Sequence, residues 1–306
     1  MLNIICIGGG NGLSNLLSEL VKQKDFRISA IVTTMDSGGS TGKIRKEHNV
    51  IAFGDLRRAL SALSENKELK KEFNFRYKTG KEKGHVSGNL FLLNLTKKLG
   101  SEKKAILEAH KILEIKGEVL PVTYDRVNIV AETKKGKKIV GEDKIDTAKS
   151  FLDIKNIYLS PLAKLNPSIK KVIQKADVIL IGPGDLYTSV LCNFLVSGLR
   201  DEVRKSKAKK IWINNLTNKL SETNGFQLKD YLNEIDKYLG LDIIDYVIYQ
   251  NKPVGDKSVT GVKGVRGGKM MEGRIQFIGD DFATRKNKEL VHNVKKIIKT
   301  INQIIK

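Results

Sequence analysis

The stretch "IICIGGGNGLSNLL", residues 4–17, places an apolar run, a glycine cluster and a helical pattern in direct succession. The run over 2–7 predicts a strand, and the leucine spacing over 13–24 predicts a helix. A second apolar run over 28–34 predicts another strand, so the chain begins with a β–α–β unit. Such a unit indicates a parallel sheet, because strands that run in the same direction need a crossover between them.

The alternation of strands and helices continues along most of the 306 residues. Further predicted strands span 176–181, 210–215, 246–249 and 275–278. Further predicted helices span 55–64, 68–77, 89–99, 102–115, 191–206, 228–240 and a final stretch from Lys286. A β-hairpin with its turn at Gly136 is predicted within 119–142. We expect one α/β domain over 1–306, with a mostly parallel sheet flanked by helices and a helical and hairpin subregion over about 55–150.

The composition is strongly basic, with a formal net charge of +21. Of the 55 basic residues 44 are lysines, and they are spread along the whole chain rather than gathered into one stripe. No nucleic-acid-binding module is recognisable, so a solvated lysine surface is favoured over a specific nucleic-acid face. We expect no specific nucleic-acid partner.

The two cysteines have neither disulfide nor metal-ligand spacing, which favours a reducing compartment. The first residues lack the pattern of a signal peptide, and no apolar run approaches the ~20 residues of a membrane span. We expect a cytoplasmic protein with no membrane partner. A symmetric dimer is the default expectation for its oligomeric state.

Three glycine clusters follow predicted strands. They are Gly8, Gly9, Gly10 and Gly12 after the first strand, Gly38, Gly39 and Gly42 after the second, and Gly182 and Gly184 after the strand at 176–181. Glycine lets backbone N–H groups approach an anion closely, and a following helix N-terminus adds positive potential. Ligands of parallel sheets bind where such loops meet. The clusters therefore predict a phosphorylated ligand.

Standard nucleotide motifs do not fit these loops. When G-x-G-x-x-G is aligned from Gly8, the third glycine position holds Leu13, and when it is aligned from Gly10, that position holds Asn15. Asp36 nevertheless follows the second strand, where a ribose-binding acid is expected. This leaves a nicotinamide enzyme as an alternative. In "SGGSTGKI" Ser37 replaces the first P-loop glycine and Ile44 replaces the magnesium-binding hydroxyl, which argues against a Walker-type ATPase.

Several polar side chains beside these loops are candidates for ligand binding. Asp36 would accept a hydrogen bond from a hydroxyl or hold Mg²⁺; the alternative is a structural role as a helix N-cap or in an Asx turn. Arg57 is a donor fork for phosphate, whereas Asp55 is equally interpretable as an N-cap and Arg58 as solvated. His85 suits proton transfer or phosphate binding, against a hydrogen-bonded loop role.

The segment "GPGDLYTS" adds a second group of candidates. Asp185 would bind substrate or metal, and the alternative is that it caps a helix. Tyr187 would stack on a base, and the alternative is a position in the core. Thr188 and Ser189 offer hydroxyls to a phosphate or sugar. Asn193 lies eight residues after Asp185, which places both on one face of an α-helix. Arg285 is a more distant candidate for a phosphate contact.

Six segments in order resemble the gluconeogenesis factor family, which is related to 2-phospho-L-lactate transferase (CofD). They are "GGGNGLSNLL" 8–17, "IVTTMDSGGSTGKIR" 31–45, "GDLRRAL" 54–60, "GHVSGNLFL" 84–92, "GEVLPVT" 117–123 and "IGPGDLYTSVLCNFLV" 181–196. The resemblance covers about residues 2–250 and implies a Rossmann-like CofD fold with a nucleotide-sugar site. Within the matching segments it selects Gly9, Gly10, Asn11, Gly12, Gly38, Gly39, Ser40, Asn89 and Gly184 as further binding residues.

The resemblance implies a UDP-sugar-binding regulator that links carbon metabolism to cell-wall synthesis and cell shape. The alternative is a transferase that forms a phosphodiester, with Mg²⁺ held by Asp36 and Asp185. The sequence departs from the family pattern at Asn11, where threonine is usual, and at Ser37, where a second acid is usual. Ser37 removes a negative charge that a metal-assisted reaction would use.

Overall fold

A computed structural model describes residues 1–254, 268–286 and 288–305. Its strands are β1 (Leu2–Gly8), β2 (Phe26–Val32), β3 (Glu118–Pro121), β4 (Asn128–Thr133), β5 (Lys138–Val140), β6 (Ile154–Ser160), β7 (Val178–Ile181), β8 (Lys209–Ile213), β9 (Tyr246–Gln250), β10 (Gly268–Glu272), β11 (Ile275–Asp280), β12 (Ala283–Lys286) and β13 (Glu289–His292).

Its α-helices are α1 (Gly10–Leu20), α2 (Gly39–His48), α3 (Gly54–Leu63), α4 (Lys67–Asn74), α5 (Ser87–Leu99), α6 (Glu102–Ile112), α7 (Glu142–Asp146), α8 (Pro167–Gln174), α9 (Cys192–Phe194), α10 (Leu199–Lys205), α11 (Leu228–Leu239) and α12 (Val294–Ile305). A π-helical segment over Leu186–Leu191 runs directly into α9. Within the described residues, no helix is long and apolar enough to cross a membrane.

The main sheet has eight strands in the order β10-β11-β9-β8-β7-β1-β2-β3. Seven of them are parallel, and β10 pairs antiparallel with β11 at one edge. β1 lies between β2, with Leu2 opposite Phe26, and β7, with Ile4 opposite Val178. The chain thus winds outward from β1 in both directions. The β1–β7 boundary is the switch point of an α/β sheet, where a ligand crevice is expected.

Both faces of the sheet are buried, as the apolar run of β1 requires. Ile4 and Cys6 face one hydrophobic cluster, and Ile5 and Ile7 face the other. The first cluster includes side chains of α1, α3, α5 and α12, and the second includes side chains of α8, α10 and α11. A strand covered on both sides reads as a continuous apolar run, which confirms the predicted α/β fold.

The predicted hairpin is present as β4 and β5, with Val130 opposite Val140 and a turn at Gly136. β6 joins it as a third antiparallel strand that the sequence did not predict. The alternation that begins at Val119 belongs instead to β3, the parallel edge of the main sheet. Local periodicity does not distinguish these two sheets, because the pairing partner decides which sheet a short strand joins.

Other predicted boundaries shift where the chain turns. The helix predicted over 191–206 is divided, because Gly198 lies between α9 and α10 with φ +101°. The last helix begins at Val294 rather than near Lys286, because β12 and β13 precede it. α2 was not predicted, since Ser40, Thr41 and Ile44 are its only buried residues and give no apolar stripe.

Candidate functional site

The loops after β1 and β7 meet backbone to backbone at the switch point. A Cβ on Gly12 would lie 2.6 Å from the carbonyl oxygen of Pro183, and one on Gly9 would lie 2.7 Å from a carboxylate oxygen of Asp55. Gly10 adopts φ +68°, in the left-handed region that favours glycine. These contacts explain why the stretch after β1 is rich in glycine.

Two helix N-termini open at this edge of the sheet without a side-chain cap. α1 follows Gly9 and α2 follows Gly38, and neither preceding residue has a side chain that could accept from the first turn. The first N–H groups of a helix have no partner within the helix, and the helix dipole adds positive potential there. Both ends are therefore suited to an anion such as phosphate.

Asp36 shapes the second glycine loop. Its Oδ1 accepts from the N–H of Gly38 at 2.9 Å, which is the Asx turn considered for this residue. The N–H of Ser37 donates to Glu142 at 3.2 Å, and Ser37 Oγ accepts from the N–H of Asp143 at 3.0 Å. Ser37 thus docks α7 onto the loop and brings the carboxylates of Glu142 and Asp143 beside it.

Asp55 is buried in the first turn of α3 beside the β1 loop. Burial raises the pKa of Asp55, while Arg58 and the N–H of Gly10 act in the opposite direction. The Nη1 of Arg58 lies 2.5 Å from Asp55 Oδ1. Arg58 is therefore not simply solvated, because it neutralises a buried carboxylate and lines the cleft that the glycine loops form at this edge of the sheet.

A polar network connects α2 with the loop before α5. The hydroxyl of Ser40 lies 3.2 Å from Nδ1 of His85 and accepts from Nδ2 of Asn89 at 3.1 Å. Asn89 Oδ1 and Arg57 Nε are buried without a hydrogen-bond partner among the described residues. Arg57 Nη1 donates to Asn74, and burial lowers the pKa of Arg57 to about 10. Arg57 and Asn89 both line the cavity on this side of the sheet edge, and buried polar atoms without a partner are the kind of group that a polar ligand satisfies.

Asp185 belongs to a second cluster, on the other side of the cleft. Lys219 Nζ bonds Asp185 Oδ2 at 2.8 Å, also bonds Asp146, and lies 3.9 Å from Glu222. Carboxylate oxygens of Asp146, Asp185 and Glu222 lie within 4.8 Å of one another. The structure thus groups Asp185 with these acids and with an ammonium, rather than pairing it with Asp36 around one metal ion.

Negative charge dominates the floor of the cleft. Burial, reinforced by Asp36, raises the pKa of Glu142 to about 7. Burial, reinforced by Glu222 and Glu142, raises the pKa of Asp185 to about 7. Both carboxyls hold a proton more tightly than an exposed acid, because burial disfavours the charged form and the neighbouring acids add to that effect.

Two cavities share this edge of the sheet. The α3-side cavity, of about 310 Å³, is lined by Asp36, Arg57, Arg76 and Glu142 among others. The β8-side cavity, of about 370 Å³, lies between the loop after β8 and β13 and is lined by Leu216, Lys219 and His292 among others. Both are lined by Gly10, Asn11, Asp185 and Ser189. A ligand that spans the shared wall would contact the glycine loops at its centre.

Three expected binding residues lie elsewhere. Tyr187 is fully buried in the hydrophobic core, so it does not present a face for stacking on a base. Asn193 is also fully buried, and its amide donates to the carbonyl oxygens of Ser189 and Val190. Arg285 is exposed on β12, where Nη1 donates to Lys288 O.

The π-helical segment explains the displacement of Asn193. Each π turn holds more residues than an α turn, so eight residues no longer bring two side chains onto one face. The prediction that Asn193 and Asp185 share a face assumed α-helical spacing throughout. Tyr187 lies in the same segment and turns inward with it.

Sequence reasoning missed several cleft residues. Glu142 is the last residue of the segment predicted as a hairpin, Asp146 follows it in a stretch with no predicted element, and Lys219 lies in a loop with no motif. His292 shares no metal-ligand spacing with another histidine in the sequence, yet it lines the β8-side cavity and its Nε2 donates to Asn214 O at 2.9 Å. The carboxylate run "GED" after a strand was the one available signal, because loops after strands carry ligand contacts.

Comparison with known proteins agrees with this architecture. The family model of 2-phospho-L-lactate transferase CofD matches residues 4–287. A gluconeogenesis factor from Halalkalibacterium halodurans is 36% identical over 310 residues, covering 98% of this chain and 95% of the relative. The gluconeogenesis factor from Bacillus subtilis is 33% identical over 314 residues, covering 99% and 98%.

A solved structure is similar over nearly its whole length. It is the crystal structure of a member of the UPF0052 family from Bacillus halodurans, with a TM-score of 0.90 and 34% identity, covering 98% of this chain and 99% of that one. The match of fold and sequence extends through all three glycine loops. The chain therefore belongs to the gluconeogenesis factor family, within the wider family described by 2-phospho-L-lactate transferase CofD.

Proposed function

We propose that this protein binds a nucleotide sugar, with UDP as the nucleotide, and acts as a regulator that links carbon metabolism to cell-wall synthesis and cell shape. The observation that carries the proposal is the convergence of two uncapped helix N-termini and the Gly182–Gly184 loop at the switch point. Backbone N–H groups in this arrangement bind a diphosphate without needing a particular side chain. The names of the relatives support a role in carbon metabolism.

The two cavities suggest how such a ligand would lie. The diphosphate would rest on the shared wall, at Gly10 and Asn11. The polar α3-side cavity suits a sugar, because Asn89 Oδ1 and Arg57 Nε have no hydrogen-bond partner among the described residues. The first would accept a hydrogen bond from a sugar hydroxyl, and the second would donate one to a sugar oxygen. The β8-side cavity, with Leu216 on its wall, would then receive the nucleoside.

Calorimetric titration with a panel of UDP-sugars, with UDP, GDP and NAD(P) for comparison, tests the proposal. We expect saturable binding of a UDP-sugar that weakens about tenfold or more in Asn11→Asp, because the new carboxylate repels the diphosphate at the N-terminus of α1. Asn15→Asp is the matched control, since it adds the same charge to the same helix outside the shared wall. Absence of UDP-sugar binding, or equal loss in both variants, would contradict the proposal.

A transferase that forms a phosphodiester is the second candidate. It is favoured by the match to the transferase family model and by the acidic lining of the α3-side cavity. Mg²⁺ would be held at the Asp36 end, with Glu142 as the neighbouring carboxylate, and it would supply charge neutralisation at phosphate. Incubation of the protein with UDP-sugar, Mg²⁺ and a panel of phosphorylated acceptors, followed by a search for products, distinguishes the two, because a phosphodiester forms only when an acceptor oxygen displaces the leaving group. Tight binding without turnover favours the regulator.

A further inference from the structure

Lys219 places a positive charge where three carboxylates converge. Its Nζ bonds Asp185 Oδ2 at 2.8 Å and a carboxylate oxygen of Asp146, and it lies 3.9 Å from Glu222 Oε1. The three acids come from segments that are distant along the chain: α7, the residue before the π-helix, and the loop after β8. The ammonium group of Lys219 therefore lies among the three carboxylates of the acidic cluster.

Two of the three acids are held in place by contacts other than Lys219. Glu222 is buried, and its two oxygens accept from the N–H of Tyr187 at 2.9 Å and from the hydroxyl of Thr188 at 2.8 Å. The main-chain oxygen of Asp146 accepts from the hydroxyl of Ser221. Glu222 is thus part of the packing that fixes the start of the π-helix, and its carboxylate is held beside Lys219.

Lys219 is also fixed, through its backbone. Its N–H donates to the hydroxyl of Thr223 at 2.9 Å, and its carbonyl oxygen accepts from the N–H groups of Glu222 and Thr223. This turn directs the side chain toward the acids. The pKa of Lys219 is lowered by burial, and the charges of Glu222 and Glu142 offset part of this effect.

Three carboxylates within 4.8 Å are a donor set that a hard divalent cation takes in proteins. We infer that Lys219 is a tethered substitute for such a cation, so that Asp146, Asp185 and Glu222 do not bind a divalent metal while Lys219 is present. An incoming Mg²⁺ or Mn²⁺ would face the ammonium at contact distance and would have to displace it. Removal of the ammonium leaves the carboxylates preorganised and uncompensated, and converts the cluster into a divalent metal site.

Counting bound Mn²⁺ by electron paramagnetic resonance tests the inference, with the metal alone as the probe. The wild type and Asp146→Asn should bind the same number of Mn²⁺ ions, because Asp146 is not a metal ligand when Lys219 is present. Lys219→Met should bind one ion more than the double variant Lys219→Met/Asp146→Asn. Comparing pairs that differ at Asp146 cancels any Mn²⁺ held by other acids of the cleft, and the result does not depend on which nucleotide the protein binds.

Lys237→Met is the control for removing a lysine from an ion pair, since Lys237 pairs with Glu234 on α11. It should leave the Mn²⁺ count unchanged. If Lys219→Met does not fold, Lys219→Gln keeps a polar group at the same position, and Mn²⁺ should raise its unfolding temperature more than that of Lys219→Gln/Asp146→Asn. The inference is overturned if the wild type loses one Mn²⁺ on Asp146→Asn, or if neither Lys219 variant gains one.

Discussion

Glu142→Gln should stabilise the protein at alkaline pH and leave it unchanged at acid pH. Glu142 lies in the cleft at the start of α7, where burial and the charge of Asp36 raise the pKa of its carboxyl from 4.5 to about 7. The folded state therefore prefers the protonated carboxyl, and the free energy of unfolding falls as the pH rises above 4.5. Gln has the shape of the protonated acid and still accepts from the N–H of Ser37.

The size of the effect follows from the two pKa values. At 1.36 kcal/mol per pH unit, a pKa rise from 4.5 to about 7 corresponds to about 3 kcal/mol. Stability from the protonated carboxyl is present below pH 4.5, is lost as the pH rises to about 7, and changes little above that. The difference between Glu142→Gln and the wild type should therefore grow from near zero at pH 4 to about 3 kcal/mol at pH 8.

Urea denaturation followed by circular dichroism at both pH values measures this difference. Glu82→Gln is the matched control, because Glu82 is exposed and does not line the α3-side cavity, so this variant makes the same chemical change outside the cleft. A Glu142→Gln difference that is the same at pH 4 and pH 8 would refute the argument that buried negative charge is concentrated at the cleft floor.

Three further variants test the site. Gly12→Ala should lower the free energy of unfolding by about 1–3 kcal/mol and abolish UDP-sugar binding, because its methyl group would collide with the backbone after β7. Gly8→Ala is the control, since its methyl group would meet only ordinary contacts at 3.9 Å. Urea denaturation and calorimetry should therefore show a loss of stability and binding in Gly12→Ala alone. Arg58→Met should cost about 3 kcal/mol in urea denaturation at pH 7 and less at pH 4, because it leaves the buried Asp55 without its partner until that acid is protonated. Arg285→Ala should leave UDP-sugar binding unchanged in calorimetry, since its side chain is exposed on β12 outside both cavities.

Local sequence was sufficient where one short segment fixes both conformation and position. β1 and α1 follow from the apolar run and leucine spacing of residues 4–17, and the glycines between them mark the backbone contact with the β7 loop. The same holds for the hairpin around Gly136. Local signals failed for α2, whose few buried residues give no stripe, and for β6, which is recognisable only by its pairing with β4.

The candidate site divides in the same way. The three glycine loops and the parallel strands that end at one edge were predictable, because glycine conformation and hydrophobic periodicity are properties of neighbouring residues. The contact of Lys219 with Asp185 and Asp146, 34 and 73 residues away, arises only when the chain is folded, as does the π-helix that turns Tyr187 and Asn193 into the core. Charges that meet across such separations leave no periodic trace in the chain, since packing of the whole sheet places them together.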